Sequence, residues 1–161
     1  MSIPISLKGF NRLREELDNL KKERPLIAKV IQEAREEGDL SENAGYDAAR
    51  ERQGMLEARI SYIESRLPLF NVVDFSKLSG EKVIYGCTVH LVDQDTDAKK
   101  EYTLVGPDET DLVSGGISVL SPVAKALLGK EIGDDVVVDA PRGKIMYEIV
   151  DVIFRGEELF A

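Results

Sequence analysis

Asp39 and Glu42 are the residues of this chain whose type and spacing most invite chemistry. They lie in an acidic stretch that runs from Glu36 to Tyr46. On a helix, side chains three residues apart point the same way. Two carboxylates aimed at one point can share a hard cation such as Mg²⁺. Mg²⁺ prefers near-octahedral oxygen coordination and keeps several of its waters, so such a pair holds it weakly unless another molecule supplies further ligands. The same spacing is also a capping box, with Asp39 as cap and Glu42 three residues on, at the start of a second helix. The two uses are compatible, because each carboxylate has two oxygens.

Other reactive residue types lead to plainer readings. The chain of 161 residues has one His and one Cys, too few soft ligands for a structural zinc site and none to spare for an internal disulfide. His90 stands alone on an expected strand and reads as a structural or surface residue. Cys87 shares that strand and reads as a small packing residue. Asp93, Asp95 and Asp97 imitate the start of a calcium loop. The sixth position is Ala98 instead of Gly and the twelfth is Leu104 instead of Glu, so the match fails and a solvated hairpin turn is expected. Nucleotide-binding glycine motifs, zinc-protease motifs and the serine-hydrolase elbow are absent.

Composition narrows the classes further. Hydrophobic residues make up 43%, enough to bury a core, and 32% are charged. With 21 basic and 30 acidic residues the net charge is −9, which disfavours holding bare duplex DNA through the whole surface. No apolar run approaches the length of a membrane span, and the start lacks a secretory pattern, so a soluble cytoplasmic protein is expected.

Two regions with different periods must position the acidic stretch. In residues 1–75 there are 12 basic and 14 acidic side chains, a balance of −2. In residues 76–161 there are 9 and 16, a balance of −7. The first region reads as two long helices. Phe10, Leu13, Leu17 and Leu20 step by three and four, and Ile27, Ile31 and Ala34 continue the stripe. Ser6 is the expected N-cap, and a kink is expected at Pro25. After a break between Gly38 and Asn43, Tyr46, Ala49, Gln53, Leu56, Ile60, Ile63 and Leu67 form a second heptad seam. Two helices with one seam each satisfy one another as an antiparallel hairpin. The second region reads as a small α+β domain. Strands are expected at Lys82–Val92, around Tyr102 and Leu104, at Ile117–Leu120, at Val136–Val138 and at Met146–Phe154. A short helix is capped by Ser121, opens with Pro122 and ends at Gly129.

At these residues a family resemblance becomes specific. The stretch Glu33–Arg50, EAREEGDLSENAGYDAAR, resembles the tip of the bacterial Gre transcript-cleavage factors. The stretch Ile117–Lys130, ISVLSPVAKALLGK, followed by Gly133 and Asp134, resembles their C-terminal domain, and LREEL at 13–17 also fits. The resemblance covers nearly the whole chain. It implies a long antiparallel coiled-coil hairpin (1–75) followed by a small antiparallel-sheet domain like the FK506-binding proteins (76–161).

The resemblance also implies a function. Such a factor, expected to be monomeric, binds bacterial RNA polymerase through the C-terminal domain and inserts the coil into the secondary channel. It stimulates Mg²⁺-dependent endonucleolytic cleavage at the 3′ end of nascent RNA in backtracked, arrested complexes, so that elongation resumes. It is an accessory factor, and the catalytic activity belongs to the polymerase. By the motif, Asp39 and Glu42 are the catalytic, Mg²⁺-coordinating pair, held jointly with the polymerase, and Asn43 and Tyr46 support the tip. Tyr46 also suits packing in the seam. Arg35 and Arg50 match basic positions that face RNA, and would serve equally as a solvated helix face. Ser121 and Pro122 match a polymerase-binding segment and are also a helix start. Gly45 departs from the motif, where an acidic residue is expected. The near-neutral coil favours the subfamily that releases short fragments. A paralogue that binds polymerase and inhibits would share the fold. A prolyl isomerase would need an aromatic pocket, and a bare scaffold would need a stable dimer.

Overall fold

The computed structural model describes residues 2–38, 43–78 and 80–160. The chain divides into two compact units, one of residues 1–9 with 71–161 and the other of residues 10–70. Composition placed a boundary at 75/76. The opening residues join the later unit because strand β1 (Ile3–Ser6) pairs with β2 (Phe70–Val73).

Residues 10–70 form the hairpin. Helix α1 (Leu7–Glu36) begins in the other unit and supplies one arm, and α2 (Ala44–Arg66) supplies the second. Thirty residues give α1 a length of about 45 Å. It runs without a break through Pro25, which cannot donate to the carbonyl of Lys21. The heptad stripes meet as expected, with Leu13, Leu17, Ile31 and Ala34 buried from α1 and Ala49, Leu56, Ile60 and Ile63 from α2. Burying a large aliphatic side chain contributes about 2 kcal/mol, so the seam supplies most of the cohesion.

Charge pairs line the seam. Arg59 donates to both oxygens of Glu16 at 2.8 and 2.9 Å, and Arg52 to both of Glu23 at 2.8 and 2.7 Å. A step of seven along α1, from Glu16 to Glu23, matches a step of seven back along α2, from Arg59 to Arg52. The polarity reverses at Arg24, whose guanidinium donates to both oxygens of Glu57 at 2.7 and 2.9 Å, and at Lys21, 3.9 Å from Glu64. Arg24 occupies the heptad step between Leu17 and Ile31, where an apolar residue would otherwise stand. Exposed ion pairs add little cohesion beside the seam. Their value is in register, since sliding one helix along the other breaks every fork together.

The other unit is built on a five-stranded sheet in the order β5-β4-β3-β7-β6, comprising β3 (Cys87–Asp93), β4 (Lys99–Val105), β5 (Gly116–Ser118), β6 (Asp135–Ala140) and β7 (Gly143–Phe154). The sheet is mixed where an antiparallel one was expected. β5 lies parallel to β4, with Thr103 opposite Gly116, because the connection 106–115 returns the chain only to the end of β4. β3 starts later than Lys82. Val83 instead bonds to Lys130 and Gly129 beyond the short helix, and Gly86 turns the chain with φ 92°. β5 is also shorter than Ile117–Leu120, since Val119 and Leu120 turn into the cap of α3 (Pro122–Leu127).

The core of this unit lies between the sheet and α3. Val136 and Val138 alternate inward from β6, and Tyr147 and Ile149 from β7. The β7 parity then slips by one. Leu91 faces Ile149 while His90 faces Asp151, so Val150 is an extra, exposed residue and Val152 becomes the next inward one. Cys87 is fully buried, and burial pushes its thiol pKa up, which suits packing rather than reactivity. His90 is half-buried, 4.0 Å from Glu101. Asp93 caps its hairpin turn by accepting from the N–H groups of Asp95 and Thr96, and these bonds hold its carboxyl below the usual range.

Glu109 is the unexpected member of this unit. Its carboxylate is fully buried. It accepts from the Ser6 N–H at 3.2 Å, the Ser6 hydroxyl, the Tyr85 hydroxyl and the Gly106 N–H at 3.0 Å. Ser6 is also the N-cap of α1, its Oγ accepting from the Gly9 N–H at 2.9 Å. Burial, followed by the bond to Glu109, pushes the Tyr85 hydroxyl pKa up and keeps it a donor. Gly9 is required here, because a Cβ on it would lie 2.5 Å from Oε2 of Glu109. Tyr85 in turn stacks on Phe75 at 5.1 Å, and Phe75 stacks on Phe160 at 6.3 Å.

Two outcomes follow from these contacts. Glu109→Ala strips the acceptor from four buried donors and should cost about 3 kcal/mol or more in urea unfolding. Tyrosine fluorescence is a suitable probe, as the chain has no Trp. Glu109→Gln should cost less, because it keeps one acceptor oxygen. For the hairpin, hydrogen bonds from Arg59, Arg52 and Arg24 lower the carboxyl pKa values of Glu16, Glu23 and Glu57. A lowered folded-state pKa gives stability that is present above the unfolded carboxylate value of about 4.3 and lost as pH falls through the folded one. Helical circular dichroism at 222 nm should therefore melt at lower temperature at pH 3 than at pH 7, and 1 M salt at pH 7 should shift it the same way.

Candidate functional site

Where the two arms of the hairpin turn over, one side chain serves both helices. Gly38 ends the first arm with φ 109°, its N–H donating to the Arg35 carbonyl at 3.2 Å. Helix α2 starts at Ala44 with Asn43 as its N-cap. Oδ1 of Asn43 accepts from the Tyr46 N–H at 3.0 Å, and Nδ2 of Asn43 donates to the Ala34 carbonyl at 2.9 Å. The same two helix ends are bridged by Arg35, whose guanidinium lies 5.9 Å from the centre of the Tyr46 ring.

Asp39 and Glu42 lie outside the described residues. Helix α2 begins beyond both carboxylates in the sequence, and its N-cap is Asn43. Asn43 immediately before Ala44 was the missed signal, since Asn is among the strongest N-caps. Tyr46 is half-buried, with the Arg35 guanidinium over its ring. Arg50 is exposed and donates to Gln53 of its own helix at 3.0 Å. A Cβ on Gly45 would come 3.3 Å from the capping Oδ1 of Asn43, a contact that needs a small shift.

Ser121 and Pro122 belong to the other unit. Ser121 caps α3, with Oγ accepting from the Ala124 N–H at 3.2 Å, and Pro122 is the first helical residue. Gly129 follows with φ 81°, as the sequence anticipated. Exposed Leu120 and Leu128 flank this short helix. Among the described residues no group of three or more His, Cys, Asp or Glu gathers to hold a metal ion. Among the same residues no helix is long and apolar enough to cross a membrane.

Comparison with known proteins settles the family. Residues 3–72 match the model of the transcription elongation factor N-terminal domain, and residues 78–154 match that of the GreA/GreB C-terminal domain. The chain belongs to the GreA/GreB family of transcription elongation factors. Transcription elongation factor GreA of Nitratidesulfovibrio vulgaris is 66% identical over 155 residues, covering 96% of this chain and 95% of that one. GreA of Francisella philomiragia is 49% identical over 155 residues, covering 95% and 97%. Among solved structures, GreA factor homolog 1 of Thermus thermophilus aligns with 95% of this chain and 99% of its own, at 28% identity and a TM-score of 0.45. A transcription elongation factor of this family thus carries its motif Glu33–Arg50 across the turn of its hairpin.

Gly38 gives a direct test of that turn. Among the described residues no atom lies within 4 Å of a Cβ built on it, so there Gly38→Ala meets no steric obstacle, only an unfavourable φ. It should cost about 1 kcal/mol in urea unfolding followed at 222 nm, with helix content in water unchanged.

Proposed function

We propose that this factor binds bacterial RNA polymerase and stimulates Mg²⁺-dependent cleavage of the 3′ end of nascent RNA in backtracked complexes, acting through Asp39 and Glu42. The observation that carries the reading is the family match, with the motif Glu33–Arg50 running from the end of α1 to the start of α2. Asp39 and Glu42 are two carboxylates of that motif between the helices in sequence. An acidic pair kept there, in a member of an elongation factor family, fits a ligand brought by a partner.

The donor set suits the ion. Two carboxylates are hard oxygen donors of the kind Mg²⁺ takes, and two are too few to hold it without help. A site completed by polymerase meets both conditions. When bound between the two proteins, the metal would lower the pKa of a water and stabilise the leaving oxygen of a phosphodiester. Asp39 and Glu42 would supply charge and orientation. The forked ion pairs of the coil would keep the hairpin in one register, so that these residues arrive at a fixed depth. Arg35 and Arg50 are the cations beside the turn available to RNA phosphates, with Arg35 already oriented by Tyr46. Ser121 and Pro122, with exposed Leu120 beside them, are the proposed polymerase contact. The factor itself is an accessory, with the reaction running in the polymerase site.

The test is RNA release from a stalled, backtracked bacterial elongation complex with Mg²⁺. The parent should release short 3′ fragments. The Asp39→Asn, Glu42→Gln variant should bind polymerase as the parent does and lose at least about 100-fold in cleavage rate. If the parent binds and slows elongation without cleavage, the factor is inhibitory and the reading is wrong.

A further inference from the structure

We propose that strand β6 is a docking edge, onto which an extended segment of another protein adds as a further strand. That segment carries Lys or Arg opposite Asp135 and Asp139 and an apolar residue opposite Val137. The proposal goes beyond the cleavage reading and does not depend on it.

A sheet ends in two edge strands, and on each the N–H and C=O groups of alternate residues lack a ladder partner. In the order β5-β4-β3-β7-β6 the edges are β5 and β6. β5 has three residues, too few for a long ladder. β6 has six, in unbroken register with β7 from Asp135 opposite Glu148 to Ala140 opposite Gly143. Among the described residues its backbone makes no hydrogen bond outside that ladder. A long edge is ordinarily blunted by proline, lysine, a bulge or an inward-pointing charge. β6 has none of these. Its sequence is DVVVDA, its register runs straight, and its inward residues are Val136 and Val138.

The outward side chains make this edge selective. Asp135, Val137 and Asp139 alternate there and are exposed, Val137 by 46%. Val137 stands opposite exposed Met146 of β7, so an incoming apolar side chain extends an apolar row. The flanking carboxylates set the sign of the partner. Glu148 stands opposite Asp135 and reinforces it. Lys144 stands opposite Asp139, but on β7, one strand further from the edge. An added strand therefore meets two carboxylates with an aliphatic residue between them. Opposite charges across a strand pair attract, and like charges destabilise. A second copy of β6, paired antiparallel about Val137, would set Asp135 against Asp139 on both sides of the centre. The charge pattern thus favours a basic segment over another copy of this chain. In such an addition main-chain bonds give affinity and alternate side chains give selectivity.

The experiment titrates the isotope-labelled full chain with a blocked synthetic peptide whose core is Lys-Thr-Val-Thr-Lys, and with the same peptide carrying Glu for both Lys. The basic peptide should shift the backbone amide signals of residues 135–140 saturably. It should also slow their hydrogen exchange about 10-fold or more and leave the amides of β5 unchanged. The acidic peptide should bind at least about 10-fold more weakly. In the variant Asp135→Lys, Asp139→Lys the preference should reverse, a gain that a misfolded chain cannot show. Equal affinity for the two peptides, no saturable shift, or shifts centred away from β6 overturn the proposal. Shifts at residues 135–140 on raising the concentration of the factor alone make a second copy the occupant, and overturn it as well.

Discussion

Neither long helix of this factor can hide its apolar stripe alone, and that single constraint organises the hairpin. Each helix carries one seam, so each needs one partner. The break after Glu36 and the restart at Ala44 place the partner in the same chain. Hydrophobic burial supplies the cohesion but chooses the register only weakly, because Leu and Ile replace one another at modest cost along a stripe. Directional contacts make that choice. Three bidentate Arg–Glu forks, two of one polarity and the third reversed and built on an Arg at a seam step, fit only one alignment. The arrangement separates strength from specificity. The forks can remain exposed and weak because they are asked only to discriminate.

The globular unit solves a different problem. Its first residues are distant in sequence from the sheet, yet Ser6 must cap α1 while sharing a buried carboxylate with Tyr85 and Gly106. Glu109 has four donors and no cation among its hydrogen-bond partners. Such a carboxylate is tolerated because every donor is aimed and because the helix N-terminus adds favourable potential. The tight fit leaves no room for a Cβ at Gly9, so a glycine in the first turn of a long helix, ordinarily a weakness, is required here. The aromatic stack running from Tyr85 through Phe75 to Phe160 then ties the end of the chain to the same point.

At the turn of the hairpin the family motif gains a physical division of labour. Gly38 supplies a backbone conformation, Asn43 a double cap, and Tyr46 both packing and a platform for Arg35. Spacing alone could not separate capping from metal binding, because both uses favour acidic residues three apart. The N-cap of α2 itself falls on Asn43.

Much of this architecture was legible in the residues. The two heptad stripes, the caps Ser6 and Ser121, the helix stop at Gly129 and the failed calcium loop all rest on local rules, in which a residue's neighbours in sequence are its neighbours in space. Strands in the later region were recognised, but their ends were not, because pairing sets where a strand begins. Val83 bonds beyond α3, and β7 shifts its inward side at a bulge opposite His90 and Leu91. β1 went unseen, as four residues containing a proline make no periodic signal until β2 pairs with them across more than sixty residues. Glu109 was equally invisible. An isolated acidic residue in a polar loop reads as solvated, and its burial depends on donors from two distant segments, at Ser6 and Tyr85, besides nearby Gly106. The sequence by itself therefore determined most of the elements, the family and the candidate chemistry. Only the tertiary structure decided which polar groups are shared between elements, since one hydrogen-bonding side chain serving two distant partners leaves no period in the chain.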